Sequence, residues 1–253
     1  MNELAGKVAL ITGASKGIGA ATAIELAKNG VNVVLAARSI NDLEALKTTI
    51  VEGGGKAETI VCDVSIFKDV SAAVDLCVST YGHLDILVNN AGIIDPIATI
   101  ADSDPEMWGH VVDVNYKGVY HGLRAAIPVM KIQKSGVIVN ISSGAATGAL
   151  EGWSHYCSTK AAVLSLTRCA DKECREDGIT VVGLSPGTVA TDMQTSIRHS
   201  GINPISQLDP SVHIKADWPA RAVAWLCTQD AKEFAGTDFS IKTDEGRKRV
   251  GLI

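Results

Sequence analysis

The sequence predicts a doubly wound α/β fold, in which helices cover both faces of a mostly parallel, seven-stranded sheet. Short, continuously apolar runs alternate with longer segments of helical periodicity along the chain. A strand that is apolar throughout is typical of a parallel sheet covered on both faces. Gly, Asn, Ser and Asp stand at the ends of these runs, where turns are expected. No linker or repeat interrupts the alternation, so we expect a single domain over residues 1–253.

Each predicted element follows in order along the chain. The seven strand-like runs are KVALITG, VNVVLAAR, AETIVCDV, LDILVNNAG, GVIVNISS, ITVVGLSPG and TDFSIKT. The helical segments between them include GIGAATAIELAKNG and SAAVDLCVSTYG, which end in a glycine suited to a helix C-terminus. Residues 193–218 have weak periodicity and form too long a stretch for a plain connection. We expect them to form a lid or a substrate loop.

Composition excludes several classes of function. The formal net charge of −5 and the scattered positive residues argue against nucleic acid and anionic membranes as partners. The six cysteines show neither a CxxC pair nor a His/Cys metal spacing, so no metal site is expected. Reduced thiols fit a cytoplasmic protein. The N-terminal sequence has neither a signal-peptide pattern nor an apolar run long enough to span a membrane.

The first predicted strand continues directly into TGASKGIG, residues 12–19. Gly13 permits a tight turn, Gly17 permits close approach of the backbone to a phosphate, and Gly19 permits close packing of the helix on the strand. The following helix N-terminus supplies unpaired N–H groups and the positive end of a dipole. The pattern at this place in the chain predicts a Rossmann-type nucleotide site.

The end of the second strand indicates which nucleotide is bound. An NAD site commonly has an acidic residue there, which holds the ribose 2′-hydroxyl. This chain has Ala37 and Arg38 instead, and Lys16 in the glycine loop adds a second cation. Two cations suit a 2′-phosphate. We therefore expect NADP(H) as cofactor, with NAD(H) disfavoured.

Six motifs then follow one another in order. They are TGASKGIG, NNAG at 89–92, DVNYKG around Asn115, the serine Ser143, YCSTK at 156–160 and SPGTVATDM at 185–193. Over residues 4–242 the chain resembles the single-domain short-chain dehydrogenases/reductases. The resemblance implies an NADP(H)-dependent oxidoreductase that interconverts a ketone or diketone and a secondary alcohol by hydride transfer.

The resemblance also implies roles for individual residues. Four form the catalytic group: Ser143, Tyr156, Lys160 and Asn115. Tyr156 and Lys160 also belong to the cofactor site, whose other expected members are Gly13, Ser15, Lys16, Gly17, Ile18, Gly19, Arg38, Asp63, Val64, Asn89, Ala91, Gly92, Pro186, Gly187, Val189 and Thr191. The expected substrate contacts are Ser143, Ala145, Trp153, Tyr156 and Met193.

Several of these assignments carry a specific expectation. Asp63 and Val64 are expected at the adenine ring, and Asn89 and Ala91 are expected to line the cofactor cleft and to support the central strand. Asn115 is expected to interrupt its helix and to hold a water that links the lysine to solvent.

The spacing of Tyr156 and Lys160 suits proton transfer, because residues four apart share one face of a helix. A phenol with a pKa near 10 can donate the proton that a reduced carbonyl oxygen needs. The neighbouring ammonium is expected to lower the tyrosine pKa and to bind the nicotinamide ribose. Ser143 is expected to hydrogen-bond the carbonyl oxygen as charge develops on it.

The substrate and the assembly are less closely defined. Trp153 suits either the wall of an apolar pocket or packing in the core or an interface, whereas His155 is expected on another helix face without a catalytic role. The C-terminal FSIKTDEGRKRVGLI lacks the Gly-Gly that many family members use in tetramers. We expect a homo-oligomer, either a dimer or a tetramer.

Two other functions compete with a carbonyl reductase for small molecules. A 3-oxoacyl-acyl-carrier-protein reductase shares the catalytic group and the use of NADPH, but it needs a basic surface for an acidic carrier. Lys131 and Lys134 offer such charges, whereas DKECREDG, residues 171–178, is mixed and leans acidic. A non-catalytic NADP-binding sensor is a remote alternative, because a sensor has no need of all four catalytic residues together.

Overall fold

A seven-stranded parallel sheet forms the centre of the computed structural model, which describes residues 3–253. The strands run in the spatial order β3-β2-β1-β4-β5-β6-β7, and every neighbouring pair is parallel. Their bounds are β1 Val8–Thr12, β2 Asn32–Ala37, β3 Lys56–Val61, β4 Ile86–Asn89, β5 Gly136–Ile141, β6 Ile179–Ser185 and β7 Asp238–Ser240. All seven predicted strands are present, and the predicted fold class is confirmed.

Helices cover both faces of this sheet. Within the described residues they are α1 Gly17–Lys28, α2 Ile40–Glu52, α3 Phe67–Tyr81, α4 Pro105–Val112, α5 Gly118–Gln133, α6 Ser154–Cys174, α7 Asp192–Ser200, α8 Asp217–Leu226 and α9 Asp244–Arg249. No helix in residues 3–253 is both long and apolar enough to cross a membrane.

The apolar strands bury one core on each side of the sheet. In β1, Ala9 and Ile11 point into one cluster of buried side chains, whereas Val8 and Leu10 point into the other. All four are fully buried. Side chains alternate between the two faces of a strand, so a strand covered on both faces is apolar at every position.

The strand order changes direction between β1 and β4, and this change determines where a ligand crevice can form. β1 pairs with β2 on one side and with β4 on the other. The loops after these strands therefore diverge and leave a crevice at their carboxyl ends. Most of the predicted site motifs follow strand ends or open helices at this edge, whereas the motif around Asn115 lies in a π-helical turn between two helices.

Residues 193–218 differ from the loop that their weak periodicity suggested. They contain most of α7, two short 3-10 turns at Pro204–Gln207 and Pro210–Val212, and the start of α8. Ile197 is buried although most of its helix is polar. A short helix with few apolar contacts gives too weak a repeat to be recognised in the sequence.

Candidate active site

A cleft of about 940 Å³ opens at the carboxyl ends of the strands. Most of the predicted cofactor residues line it: Gly13, Ser15, Lys16, Gly17, Ile18, Arg38, Asp63, Val64, Ala91, Gly92, Tyr156, Lys160, Pro186, Gly187, Val189 and Thr191. The predicted substrate contacts Ser143, Ala145, Trp153 and Met193 line it as well. Gly19, Asn89 and Asn115 lie behind this wall.

The glycine loop has the shape that a dinucleotide phosphate requires. Gly13 and Gly17 have positive φ angles of 62° and 57°, which other residues adopt only with strain. A Cβ on Gly13 would lie 2.8 Å from the Cα of Ala91. No side chain caps the first N–H groups of α1, which begins at Gly17. The loop therefore offers a close approach and free donors to an anion.

Gly19 lies behind the glycine loop, in contact with Gly13 and Asn90. A Cβ there would collide with the carbonyl oxygen of Gly13 and the side chain of Asn90. Asn90 donates from Nδ2 to the carbonyl oxygen of Thr12 at 2.9 Å and to that of Gly13 at 3.1 Å. The third glycine thus lets α1 approach the end of β1 closely and leaves room for Asn90, which holds the loop against the end of β4.

The two cations expected at the 2′-phosphate do not act as a pair. Lys16 Nζ lies 2.7 Å from Asp192 Oδ2 at the start of α7. Arg38 lies at the end of β2 beside Ser39, the N-cap of α2, whose hydroxyl makes no capping hydrogen bond. Arg38 is exposed and forms no ion pair within the described part of the chain. Of the two cations expected to bind a 2′-phosphate, Arg38 is therefore the one that is not already paired with a carboxylate.

Asp63 is held as a carboxylate beside the cleft. Its Oδ1 accepts hydrogen bonds from the Ser65 backbone N–H at 2.9 Å and from the Ser65 hydroxyl at 2.7 Å. Burial raises the pKa of Asp63, but these hydrogen bonds together with Arg38 and His110 outweigh burial, and the net pKa is lowered. A carboxylate with a fixed orientation suits recognition of a hydrogen-bond donor, and the sequence predicts that Asp63 meets the adenine ring.

Asn89 does not line the cleft, contrary to the sequence prediction. It is buried, and its Nδ2 donates to Asn140 Oδ1 at 2.8 Å beneath the sheet end. The next residue, Asn90, faces the cleft instead. Side chains alternate along a strand, so a prediction that is one position out places the side chain on the wrong face.

The catalytic group lies where the first turn of α6 meets the end of β5. Tyr156 and Lys160 are 9% and 5% exposed, respectively. Lys160 Nζ donates to the carbonyl oxygen of Ile141 at 2.7 Å and lies 5.6 Å from the centre of the Tyr156 ring. The Ser143 hydroxyl interacts with Tyr156 and lowers its pKa. The structure thus brings the predicted serine, tyrosine and lysine together.

The net pKa of Tyr156 differs from the expectation. Burial raises it to about 12, and the hydrogen bond with Ser143 only partly opposes this. Burial also lowers the pKa of Lys160 to about 8, against the opposing charge of Asp238. The motif does not show how deeply Tyr156 and Lys160 are buried. Both pKa values shift because desolvation disfavours the charged form of each group.

Asn115 occupies a π-helical turn, Asp113–Lys117, between α4 and α5. Its Oδ1 accepts from the backbone N–H of Ile93 and its Nδ2 donates to the carbonyl oxygen of Ile93, both at 2.8 Å. The expected interruption of the helix is present. Such turns are rare and often occur at functional sites. Here the turn connects the helix layer to the loop after β4.

The opposite half of the cleft is apolar. Trp153 is 5% exposed and packs edge-on against Tyr156, with ring centroids 5.6 Å apart. The same cluster contains Ile94, Ala145 and Ile197, with Met193 and Ile205 packed against it. Residues of the 193–218 segment therefore form part of this wall.

His155 has a structural environment. It is 1% exposed, and its Nε2 lies 2.6 Å from the carbonyl oxygen of Ile94. A carbonyl oxygen only accepts, so Nε2 carries the hydrogen. This contact attaches the loop after β4 to the first turn of α6.

A row of residues that the sequence analysis did not predict crosses the sheet beneath the predicted catalytic group. Asn89, Asn140, Gly183 and Asp238 are successive partners across β4, β5, β6 and β7. A Cβ on Gly183 would lie 2.7 Å from Asp238 Oδ1, so this glycine makes room for the carboxylate. Asp238 Oδ2 accepts from the Ser185 hydroxyl at 2.7 Å. Only the parallel register reveals the row, because its members are far apart in the chain.

Comparison with known proteins agrees with this geometry. The family model for short chain dehydrogenase matches residues 7–201. The chain is 36% identical over 232 residues to a 3-oxoacyl-[acyl-carrier-protein] reductase of Staphylococcus aureus, covering 91% of this chain and 94% of that protein. The protein belongs to the short-chain dehydrogenase/reductase family of oxidoreductases.

Solved structures show the same fold with different cofactors. A levodione reductase superposes with a TM-score of 0.88 at 30% identity, covering 97% of this chain and 98% of the other. An NAD+-bound xylitol dehydrogenase gives a TM-score of 0.88 at 27% identity, covering 94% and 98%. A variant actinorhodin polyketide ketoreductase with NADPH gives 0.85 at 28%, covering 93% and 95%. Both nicotinamide cofactors thus occur among proteins of this shape.

Proposed function

We propose that this protein is an NADP(H)-dependent oxidoreductase that interconverts a ketone or diketone and a secondary alcohol. The observation that carries the proposal is the group formed by Ser143 and the buried Tyr156 and Lys160 in the nucleotide-type cleft. The geometry provides a proton donor, a hydrogen-bonding hydroxyl and a cation within one turn of α6 and the end of β5. Levodione reductase, a structural neighbour, carries a dione in its name, which supports this substrate class.

The residues of the cleft fit a bound nicotinamide cofactor. The glycine loop and the uncapped start of α1 would hold the phosphates, and Lys160 would hold the ribose hydroxyls. When bound, the cofactor supplies or accepts the hydride. Ser143 would hydrogen-bond the substrate oxygen, and Tyr156 would transfer the proton to that oxygen.

The raised pKa of Tyr156 determines which form of its side chain is present at neutral pH. A pKa of about 12 keeps the phenol protonated at neutral pH, which is the form that donates a proton to a carbonyl oxygen. Alcohol oxidation needs the phenolate, so its rate should rise with pH.

Arg38 supports NADP(H) as the preferred cofactor. A guanidinium at the end of β2 suits a 2′-phosphate, and the N-terminus of α2 adds the positive end of a helix dipole. Asp42 in the first turn of α2 also lines the cleft and weakens this field. With Lys16 paired to Asp192, a single cation leaves a modest preference rather than an absolute one.

The experiment that tests the proposal measures NADPH and NADH oxidation with ketones, diketones, quinones, keto sugars and 3-oxoacyl thioesters. Reduction of at least one ketone or diketone, lost in Tyr156→Phe, is expected. Absence of turnover across the whole panel would contradict the proposed function and favour the sensor alternative.

A 3-oxoacyl-acyl-carrier-protein reductase is the second candidate, because the Staphylococcus aureus relative carries that name. The surface argues against efficient docking of an acidic carrier. Lys131 and Lys134 both form ion pairs with Asp177, at 3.0 Å and 2.9 Å. Faster reduction of a carrier-bound 3-oxoacyl group than of the matching small thioester would favour this candidate.

Residues 193–218 are proposed to close over the substrate. Met193, Ile197 and Ile205 already pack against the apolar wall that contains Trp153. Closure of such a segment would exclude water from the reacting atoms. Protection of this segment from protease by cofactor plus substrate is expected, and equal cleavage with and without them would contradict closure.

Assembly and location are part of the same proposal. Tyr120 on α5 is 49% exposed, and Phe67 at the start of α3 is 40% exposed, which supports a homo-oligomer that covers these two long helices. Light scattering of the purified protein tests it. All six cysteines are free, which supports a cytoplasmic location.

A further inference from the structure

Lys242 projects into the reacting part of the cleft from the segment after β7. It lines the cleft, and a Cβ placed on Gly144 would lie 3.1 Å from its Nζ. A Cβ placed on Gly187 would lie 3.1 Å from its Cγ. The side chain therefore crosses two glycines, one directly after Ser143 and the other directly after Pro186. Any larger residue at either position would displace it.

The ammonium of Lys242 is unpaired within the described residues. It takes part in neither an ion pair nor a side-chain hydrogen bond, whereas Lys16, Lys47, Lys117 and Lys131 all have a carboxylate partner. Its backbone N–H donates to the Ser240 hydroxyl at 3.2 Å, which fixes the start of the side chain. The fold thus holds an available cation next to the proposed catalytic serine.

The surroundings of Lys242 differ from those of the other cleft cations. Arg38 and Lys16 stand at the nucleotide end, at the end of β2 and in the glycine loop. The wall beyond Ser143 is the apolar cluster of Ala145, Trp153 and their neighbours. Lys242 itself is exposed, so salt and solvent screen its attraction to an anion.

Asp95 and Lys160 are the other charged side chains in this half of the cleft that form no ion pair within the described residues, and Lys160 Nζ already donates to the carbonyl oxygen of Ile141. Asp95 follows Ile94 in the loop after β4 and forms no ion pair with Lys242. A substrate anion would be repelled by Asp95 and attracted to Lys242. It would therefore lie on the β5 and β7 side of the cleft, beside Gly144.

We propose that Lys242 binds a carboxylate of the substrate, so that the preferred substrates are apolar oxo acids and the corresponding hydroxy acids. This inference rests on the proposed function, since it assigns the substrate class of the same site. Gly144 is one residue from Ser143, and consecutive Cα atoms are about 3.8 Å apart. The carboxylate therefore lies only a few bonds from the carbonyl group.

The test compares matched substrate pairs: oxo acids of one apolar skeleton and their neutral methyl esters, with NADPH as cofactor. In the parent protein, kcat/KM is expected to favour the acid by about tenfold or more, as one charge-assisted hydrogen bond implies. Lys242→Met should remove this preference by lowering kcat/KM for the acid while leaving the ester within about twofold. Lys242→Arg should retain most of the preference.

Two controls make the outcome specific. Lys248→Met removes an exposed cation from α9 and is expected to leave the acid-to-ester ratio unchanged. The KM for NADPH in Lys242→Met shows whether the lysine binds the cofactor instead, and a large rise in that KM would overturn the proposal.

The result also separates this inference from the proposed function. Equal turnover of acid and ester by the parent protein, or an equal loss of both in Lys242→Met, would overturn the role of Lys242. Tyr156-dependent reduction of the ester would still support the proposed function in that case. Turnover of neither compound nor of any other carbonyl compound would overturn both.

Discussion

The two halves of the cleft are built on different principles. The cofactor half is formed mainly by backbone at the ends of β1, β2 and β4, with glycines at positive φ and an uncapped helix start. The substrate half is formed by side chains from distant parts of the chain, such as Trp153, Ile197 and Lys242. Backbone geometry fixes where a phosphate can bind, whereas side-chain packing decides which substrate fits.

The halves also differ in how they expose charge. Arg38 is open to solvent, so its attraction for a phosphate is screened by salt. Tyr156 and Lys160 are almost fully buried, and burial shifts the pKa of each toward its neutral form. Recognition of the cofactor is therefore expected to depend on ionic strength, and proton transfer on pH.

The largest effect is expected at Tyr156, the proposed proton donor, which lies where the two halves of the cleft meet. Tyr156→Phe removes the hydroxyl and retains the ring that packs against Trp153. Turnover should fall by about 100- to 10,000-fold, the usual contribution of a general acid. The Kd for NADPH, measured by fluorescence titration, should change little. Turnover within tenfold of the parent would show that another group donates the proton.

The second effect tests the substrate half. Trp153→Ala removes apolar wall and should raise KM for bulky apolar ketones by about 10- to 150-fold, as loss of 1.5–3 kcal/mol of burial implies. Small ketones should be affected much less. Trp225→Ala is the matched control, since Trp225 packs against Phe234 and Phe239 in another cluster. Equal KM changes for large and small ketones would assign Trp153 to packing alone.

The sequence predicted the cofactor half in more detail than the substrate half for a physical reason. The strands and the glycine loop are local features, because the hydrophobic pattern of a strand and the need for glycine at a positive φ can both be recognised in adjacent residues. The error at Asn89 is one of strand face, which depends on register. The pairing of Lys16 with Asp192 joins residues 176 positions apart, and no local pattern contains it.

The remaining features required three-dimensional packing. The motif contained Tyr156 and Lys160, but their pKa shifts follow from burial beneath α7 and β5, which the motif does not specify. Asp238 and Lys242 come from the last strand region, where the chain departs from the family pattern. Their importance became visible only when β7 was placed beside β6.

The third prediction concerns cofactor choice. One exposed Arg38 contact, worth roughly 1–2 kcal/mol after discounting for solvent, predicts a preference for NADPH of about 5- to 30-fold in kcat/KM at low salt. Ala37→Asp with Arg38→Leu should reverse it. Lys16→Met should alter the ratio far less, because Lys16 is paired with Asp192. Equal use of both cofactors by the parent, or a double mutant that still prefers NADPH, would contradict the assignment.

The smallest expected effect lies beneath the junction of the two halves. Asp238 opposes the lowering of the Lys160 pKa, and Arg168 is the other charged group that acts on Asp238. Burial raises the pKa of Asp238, while the hydrogen bond from the Ser185 hydroxyl and the two cations oppose that rise. In its ionised form this carboxyl favours the ammonium of Lys160.

The sign of the pH effect follows from these shifts. The Lys160 ammonium, with a pKa of about 8, is present below that pH and is lost above it, so kcat/KM for reduction should fall on the alkaline side. Asp238→Asn removes a negative charge, lowers the Lys160 pKa further and should move this fall to lower pH. The asparagine Oδ1 can still accept from the Ser185 hydroxyl, which preserves the local packing.

Asp244→Asn on α9, at a side chain that is 75% exposed, is the matched control and should leave the pH profile unchanged. A profile that does not move in Asp238→Asn would mean that Asp238 has no electrostatic effect on the catalytic lysine.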